Sequence, residues 1–295
     1  MVIGRNAGRW QVLASSRTGA SHRRRDVRNQ DAAGYRLLSR GAVVAIADGH
    51  GSSASPYSDI GARIAVQVAC RLLERFVIQH NRAHFETVHE RASMLPTSIV
   101  QTWKQEVVGT AFQKGLDVNQ NIQSVWLQFG STLVAAALHP EWILLLQLGD
   151  GDILVVEANG TTHRFAESTL EDVGEATHSL CEPNADARMM WQLLPLTGEK
   201  PLLLLCTDGY SKSFATQSDF LQAGRDWFRL LQEFEPEQIQ QQMDGWLDET
   251  SDQGSGDDVT VAVVYWHYKT LTGLVKRVQQ KWLKPWRWFT EWYRR

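Results

Sequence analysis

The stretch Val43–Ser55, VVAIADGHGSSAS, decides the reading of the chain. Val43 to Ala47 is an apolar, β-branched run of the kind that forms a buried strand, and it stops abruptly at Asp48-Gly49-His50-Gly51. A single Asp-Gly is a turn dipeptide, because glycine supplies backbone angles that other residues resist. The chain repeats the device, however. WILLLQLGDGDILVVE (Trp142–Glu157) sets Asp150 and Asp152 among glycines between two apolar runs, and PLLLLCTDGYSKS (Pro201–Ser213) ends its run in Asp208-Gly209. GSGDDVTVAVVYW (Gly254–Trp266) opens one with Asp257-Asp258, and RNQDAAGY (Arg28–Tyr35) puts Asp31 just before another candidate strand. A fold that gathers these strand ends would gather carboxylates, and such a cluster repels itself unless something neutralises it.

The ligand types say what the neutraliser would be. Aspartate oxygens, with carbonyls exposed by neighbouring glycines, suit hard Mg²⁺ or Mn²⁺. Zinc would call for His or Cys at ligand spacing, which His50 alone does not supply. Two such ions ~3.5–4 Å apart would generate hydroxide near neutral pH and clamp a phosphoryl group for in-line attack. Hydrolysis of a phosphate ester is the favoured chemistry, with His50 placed to protonate the departing oxygen. Ser131 and Thr132 have the chemistry of nucleophiles, but at a crowded strand end their expected task is to satisfy backbone groups. No cysteine precedes an Arg at the Cys-x5-Arg spacing of a phosphate-cradling loop, so a cysteine-dependent phosphatase is set aside.

The remaining strand candidates are Trp10–Ser15, Ser131–Leu138, Met190–Leu196 and Leu202–Cys206. Helical spacing predicts helices over Asp59–Gln79, with Ser58 as its cap, and over Thr97–Leu116, Ser218–Phe234 and Pro236–Glu249. Many short strands with hairpin turns, and helices that do not alternate with them one for one, predict an α+β fold with antiparallel sheets. Ala166–Ala187 has neither period and reads as a long surface loop, either a plain connection or a lid.

The 295 residues carry a net charge of −3, which gives no basis for a nucleic-acid partner. Cys70, Cys181 and Cys206 are too scattered for a disulfide framework and fit a reducing compartment. The first residues have no sustained apolar region and no run reaches the ~18 apolar residues of a membrane span, so a cytoplasmic location is expected. The composition shifts from Lys269. Lys276, Arg277, Lys281, Lys284, Arg287, Arg294 and Arg295 oppose only Glu291, interleaved with Trp282, Trp286, Trp288, Phe289, Trp292 and Tyr293. Such a basic, aromatic segment either packs on its own domain, docks a partner or lies on an anionic membrane surface, with Pro285 interrupting a continuous interfacial helix.

Taken in order, NQDA, ADGHG, GSTLVAAAL, LGDGDI, LLCTDG and GDDVTV resemble the motifs of the metal-dependent protein phosphatases of type 2C, the PPM family, and SH…NQDA is closer to a divergent bacterial branch. The resemblance runs from about Trp10 to Trp266. It implies a four-layer α-β-β-α sandwich, two antiparallel sheets flanked by helices, within a phosphatase domain of residues 1–268 followed by a tail of 269–295. It implies a serine/threonine protein phosphatase that hydrolyses phosphoserine and phosphothreonine by attack of a metal-bound hydroxide, using two Mn²⁺ or Mg²⁺ ions and a third, weaker one.

By position, Asp48 resembles the carboxylate bridging both metals and the Gly49 carbonyl a ligand to one of them. Asp208 and Asp257 match the other metal ligands, Asp31 acts through water or directly, and Asp150 resembles the ligand of the third ion. His50 matches the general acid. Gln30 stands where many members have Glu, and Asp152 where Arg often follows the Gly-Asp motif. Asp258 replaces the usual Asn, so two adjacent carboxylates compete for one ligand role. The family's phosphate-binding Arg has no clean match, since its spacing lands on Asp26; His22, Arg25 and Arg28 are the candidates. The implied partner is a phosphorylated protein, either a Ser/Thr kinase or its target. The alternative is a catalytically weak phosphatase-fold module that binds or senses through the basic aromatic tail.

Overall fold

Strands buried on both faces read as unbroken apolar runs, and the chain uses such runs to build a sandwich with helices outside it. The computed structural model describes residues 8–119, 121–166 and 177–267. In chain order the elements are β1 (Arg9–Arg17), α1 (Ala20–Arg25), β2 (Ala32–Leu38), β3 (Gly41–Ala47), α2 (Ser58–Gln79), α3 (Phe85–Ala92), α4 (Leu95–Gln113) and α5 (Ile122–Leu127). There follow β4 (Leu133–Leu138), β5 (Trp142–Leu148), β6 (Asp152–Val156), β7 (Thr162–Arg164), α6 (Ala185–Arg188), β8 (Met190–Pro195), β9 (Leu202–Cys206), α7 (Asp208–Ser211), α8 (Gln217–Glu233), α9 (Pro236–Gln253) and β10 (Val259–His267).

Two five-stranded sheets result, in the orders β1-β10-β9-β6-β7 and β2-β3-β4-β5-β8, with antiparallel neighbours throughout. The period of two becomes visible once the faces are separated. Along β3, Ala42, Val44 and Ile46 enter the layer between the sheets, while Val43, Ala45 and Ala47 pack under α2 and α4. Along β9, Leu203 and Leu205 face the opposite sheet, while Leu202, Leu204 and Cys206 join Phe220, Trp227 and Met243 of α8 and α9. Each fully buried leucine contributes about 2 kcal/mol. The chain therefore forms the four-layer α-β-β-α sandwich expected of it.

Local differences have local causes. Tyr57 caps α2, because the Ser58 side chain, the expected cap, turns away to accept a hydrogen bond from Gly51 N at 3.3 Å. Helix α4 starts earlier than expected, with Pro96 in its first turn, and ends before Gly115, whose φ of 76° stops it. Helix α9 runs on to Gln253. Ser131 and Thr132 lie ahead of β4, with Ser131 paired to Gly49 in an isolated bridge beyond the end of β3. Of the expected loop, residues 167–176 lie outside the described residues, and α6 begins within the rest. The 269–295 tail also lies outside them. Among the described residues, no helix is long and apolar enough to cross a membrane.

Register brings the acidic strand ends together. Ala32 pairs with Ala47, so Asp31 and Asp48 leave the same end of one hairpin. In the other sheet Cys206 pairs with both Asp152 and Val261, which places the 207–208 and 257–258 segments side by side. A bond from Thr207 Oγ1 to Asp31 Oδ2 at 2.8 Å ties the ends of the two sheets to each other.

Candidate metal centre

Asp48 and Asp208 are each set by a backbone that the following glycine permits. A side chain at Gly49 would lie 2.7 Å from the Ser58 backbone, and one at Gly209 would lie 1.9 Å from the Asp258 carbonyl oxygen, so both Asp-Gly turns pack where only glycine fits. Asp48 is fixed from β4's side: its N–H donates to Thr132 Oγ1 at 3.0 Å and its carbonyl accepts from Thr132 N at 2.8 Å. Thr132 thus does the backbone work expected of it. The Ser131 hydroxyl is buried without a partner. His50 donates its backbone N–H to Gly130 O, and Gly130 lies against the imidazole: a Cβ there would be 2.5 Å from His50 Cδ2.

The electrostatics show which carboxylates share one field. Burial pushes the Asp31 carboxyl up to about 8, with the charges of Asp258 and Asp208 acting in the same direction and hydrogen bonds from Thr260 and Thr207 opposing them. Burial also lifts Asp48 well above the usual carboxylate range, and the charges of Asp31, Asp208 and Asp257 add to it. Burial pulls His50 below its ordinary value, against the charges of Asp150, Glu182 and Asp208. Asp31, Asp48, Asp208 and Asp257 are therefore one cluster, with His50 beside it.

The adjacent pair Asp257-Asp258 divides its labour. Buried Asp258 accepts from Gly19 N at 2.6 Å and His22 Nδ1 at 2.9 Å on one oxygen, and from Gln30 N at 2.7 Å on the other. Asp257 is exposed, its Oδ1 receiving the Asp258 N–H at 2.9 Å. Side-chain ligand atoms of His22, Asp257 and Asp258 lie within 4.8 Å of one another, but Asp258 is already committed to holding the loop that carries Asp31.

A cation fits this cluster on three counts. Asp31 Oδ1 and Asp208 Oδ1 are buried carboxylate oxygens with no hydrogen-bond donor. The raised proton affinity of Asp31 and Asp48 comes first from burial, with the negative charges around them adding to it, and a cation would offset both. The donors are oxygens, the set preferred by hard divalent ions.

A family model described as protein phosphatase 2C matches residues 18–248. The chain belongs to the protein phosphatase 2C family. No curated protein matches it. Among solved structures, it is similar to the catalytic domain of the serine/threonine protein phosphatase PstP in complex with two manganese ions, at 16% identity over 88% of this chain and 100% of that one, with a TM-score of 0.54. PppA, a regulatory component of the type VI secretion system in Pseudomonas aeruginosa, is similar at 19% identity over 88% of this chain and 98% of that one (TM-score 0.55). The Staphylococcus aureus serine/threonine phosphatase Stp1 is similar at 13% identity over 88% and 95% (TM-score 0.58). The resemblance to this phosphatase family is borne out.

Within the phosphatase family's site, the phosphate-binding candidates are not equivalent. His22 is tied to Asp258, and Arg25 is exposed with its Nε donating to Ser21 O at 3.1 Å. Arg28 is exposed on the turn that leads from α1 to Asp31. Asp26, where the family's Arg spacing lands, ends α1 in a left-handed conformation with φ 55°. Asp152, which departs from the family pattern, is fully buried at the start of β6 and forms an ion pair with Arg164 of β7.

Sequence reasoning missed Lys212. It follows α7, four residues after Asp208, and its ammonium contacts both Asp208 Oδ2 and Asp150 Oδ2, the latter at 3.1 Å. Burial alone would lower its pKa, but Asp208 and Asp150 outweigh that and raise it. The spacing of four on a helix start was the available signal.

Proposed function

We propose that this chain is a metal-dependent serine/threonine protein phosphatase. The observation that carries the reading is the Asp31–Asp48–Asp208 cluster at the sheet ends: the unpartnered buried oxygens of Asp31 and Asp208 and the raised proton affinity of Asp31 and Asp48 call for divalent cations. The family match supports phosphate-ester hydrolysis, and the named activity and manganese of PstP support protein phosphoserine and phosphothreonine as substrates.

Asp48, the Gly49 carbonyl, Asp208 and Asp257 would hold two Mn²⁺ or Mg²⁺ ions, with Asp31 directly or through water. When bound, such ions supply an activated water and neutralise phosphoryl oxygens. Thr132 orients Asp48, and Thr207 orients Asp31. His50, held against Gly130, donates a proton to the leaving serine or threonine oxygen. Asp258 positions the 19–31 loop, so Arg28 and Arg25 are the side chains free to meet the substrate's phosphate, with His22 behind them. Asp150 stands apart from this set, since Lys212 and Thr177 both bond its Oδ2. The alternative, a binding module working through 269–295, rests on residues outside those described.

Asp208→Asn tests the assignment, because it removes one ligand charge at constant size. Expected is loss of Mn²⁺-dependent phosphate release from a phosphothreonine peptide, with the circular dichroism of the folded chain unchanged. Undiminished turnover in the variant would overturn it.

A further inference from the structure

Two carboxylates at the ends of neighbouring strands meet on one cation of the chain's own. Asp150 lies in the connection between β5 and β6, and Asp208 follows β9; each presents its Oδ2 to the ammonium of Lys212. Thr177 Oγ1 adds a second donor to Asp150 Oδ2, at 3.1 Å. The Lys212 backbone N–H donates to Asp208 O at 2.7 Å, so the short helix that aims Asp208 into the cluster also fixes the root of the lysine. The two oxygens of Asp208 thus have different surroundings. Oδ2 belongs to Lys212, while Oδ1 is buried with no donor.

A divalent ion between Asp150 and Asp208 would need the oxygens that Lys212 holds. Carboxylate oxygens sit about 2.1 Å from Mg²⁺-sized ions and about 2.8 Å from an ammonium, so the two cations exclude each other from one position. A tethered ammonium has the further advantage of acting at the effective concentration of its own chain. Hydrogen bonding suits it as well, because –NH₃⁺ carries three donors and can serve both carboxylates at once.

We propose that Lys212 is a tethered cation occupying the place between Asp150 and Asp208 where a third metal ion would otherwise bind, so that the chain loads two ions rather than three. The inference rests on the metal-dependent phosphatase reading. Lys212 is a positioning residue in this account: it holds Asp208 by Oδ2 and leaves Oδ1 for the catalytic ions. It also ties the β5–β6 connection to α7 whether or not metal is present.

The test is the number of Mn²⁺ ions bound per full-length chain, measured by equilibrium dialysis with elemental analysis. Wild type, Lys212→Arg, Lys212→Asp and Asp150→Asn are compared, and circular dichroism checks the fold of each. Two ions are expected in wild type and in Lys212→Arg, and a third, weaker ion in Lys212→Asp. Asp150→Asn is expected to keep both ions, since its carboxylate holds a lysine and not a metal. Three ions in wild type, or loss of an ion in Asp150→Asn, would overturn the proposal, as would a folded Lys212→Asp that still binds only two. No Mn²⁺ binding by wild type would instead remove the metal-dependent reading on which the proposal stands.

Discussion

Removing metal should leave a protein whose stability falls as pH rises, the reverse of ordinary acid denaturation. The cause is Asp31, fully enclosed beneath the sheet ends, whose carboxyl is lifted by burial from 3.8 to about 8. A carboxyl with a raised folded-state pKa binds a proton that the unfolded chain has released. Its stabilisation is complete below the unfolded value near 4 and is lost as pH rises through about 8. At about 1.4 kcal/mol per pH unit the full excursion is on the order of 6 kcal/mol. Between pH 5 and 8 that is ~4 kcal/mol, which for a domain of this size lowers Tm by about 10 °C. Asp48 shifts in the same direction for the same reason. The assay is thermal unfolding followed by circular dichroism in EDTA from pH 5 to 8, repeated in excess Mn²⁺. In Mn²⁺ the decline should vanish, because the ions replace the protons. A Tm in EDTA that is flat or rises across this range would refute the reasoning.

Three further outcomes follow from single contacts. His50→Ala should slow phosphopeptide hydrolysis roughly 100-fold, and slow aryl phosphates much less, because their leaving groups need little protonation; equal losses in kcat on both would count against His50 as the acid. Gly130→Ala places a methyl group 2.5 Å from His50 Cδ2, so it should reproduce most of that phosphopeptide defect while Mn²⁺ affinity, read by calorimetry, stays unchanged. Asp258→Ala strands the buried donors of Gly19, His22 and Gln30 and should cost on the order of 3–5 kcal/mol in urea denaturation, whereas Asp258→Asn, which keeps one acceptor, should cost clearly less.

The legible parts of the chain were those where one physical cause dominates. Strands such as β3, β5 and β9 are buried on both faces, so their apolar runs stand out, and the Asp-Gly pairs that end them mark the site. Strand β2 showed only as a candidate after Asp31, because it is an edge strand whose Ala33, Tyr35, Arg36 and Leu37 are exposed and whose Gly34 weakens the pattern. The three residues of β7 were too short to show a period. Ser58 has the composition of a cap, but its hydroxyl is claimed by Gly51 from the site loop, a tertiary contact that local preference does not contain. The roles of Asp257 and Asp258 separate only when Gly19, His22 and Gln30, more than 220 residues away, are seen to converge on Asp258. Lys212 is marked in the sequence only by its spacing of four from Asp208, since its second partner, Asp150, lies 62 residues earlier in the chain.

The most direct test of the central claim is phosphate release from a phosphothreonine peptide by the purified full-length chain, titrated with Mn²⁺ and then with EDTA. Release is expected to appear with Mn²⁺ and to be abolished by EDTA. Release that persists in EDTA, or none from folded chain shown to have bound Mn²⁺, would contradict it.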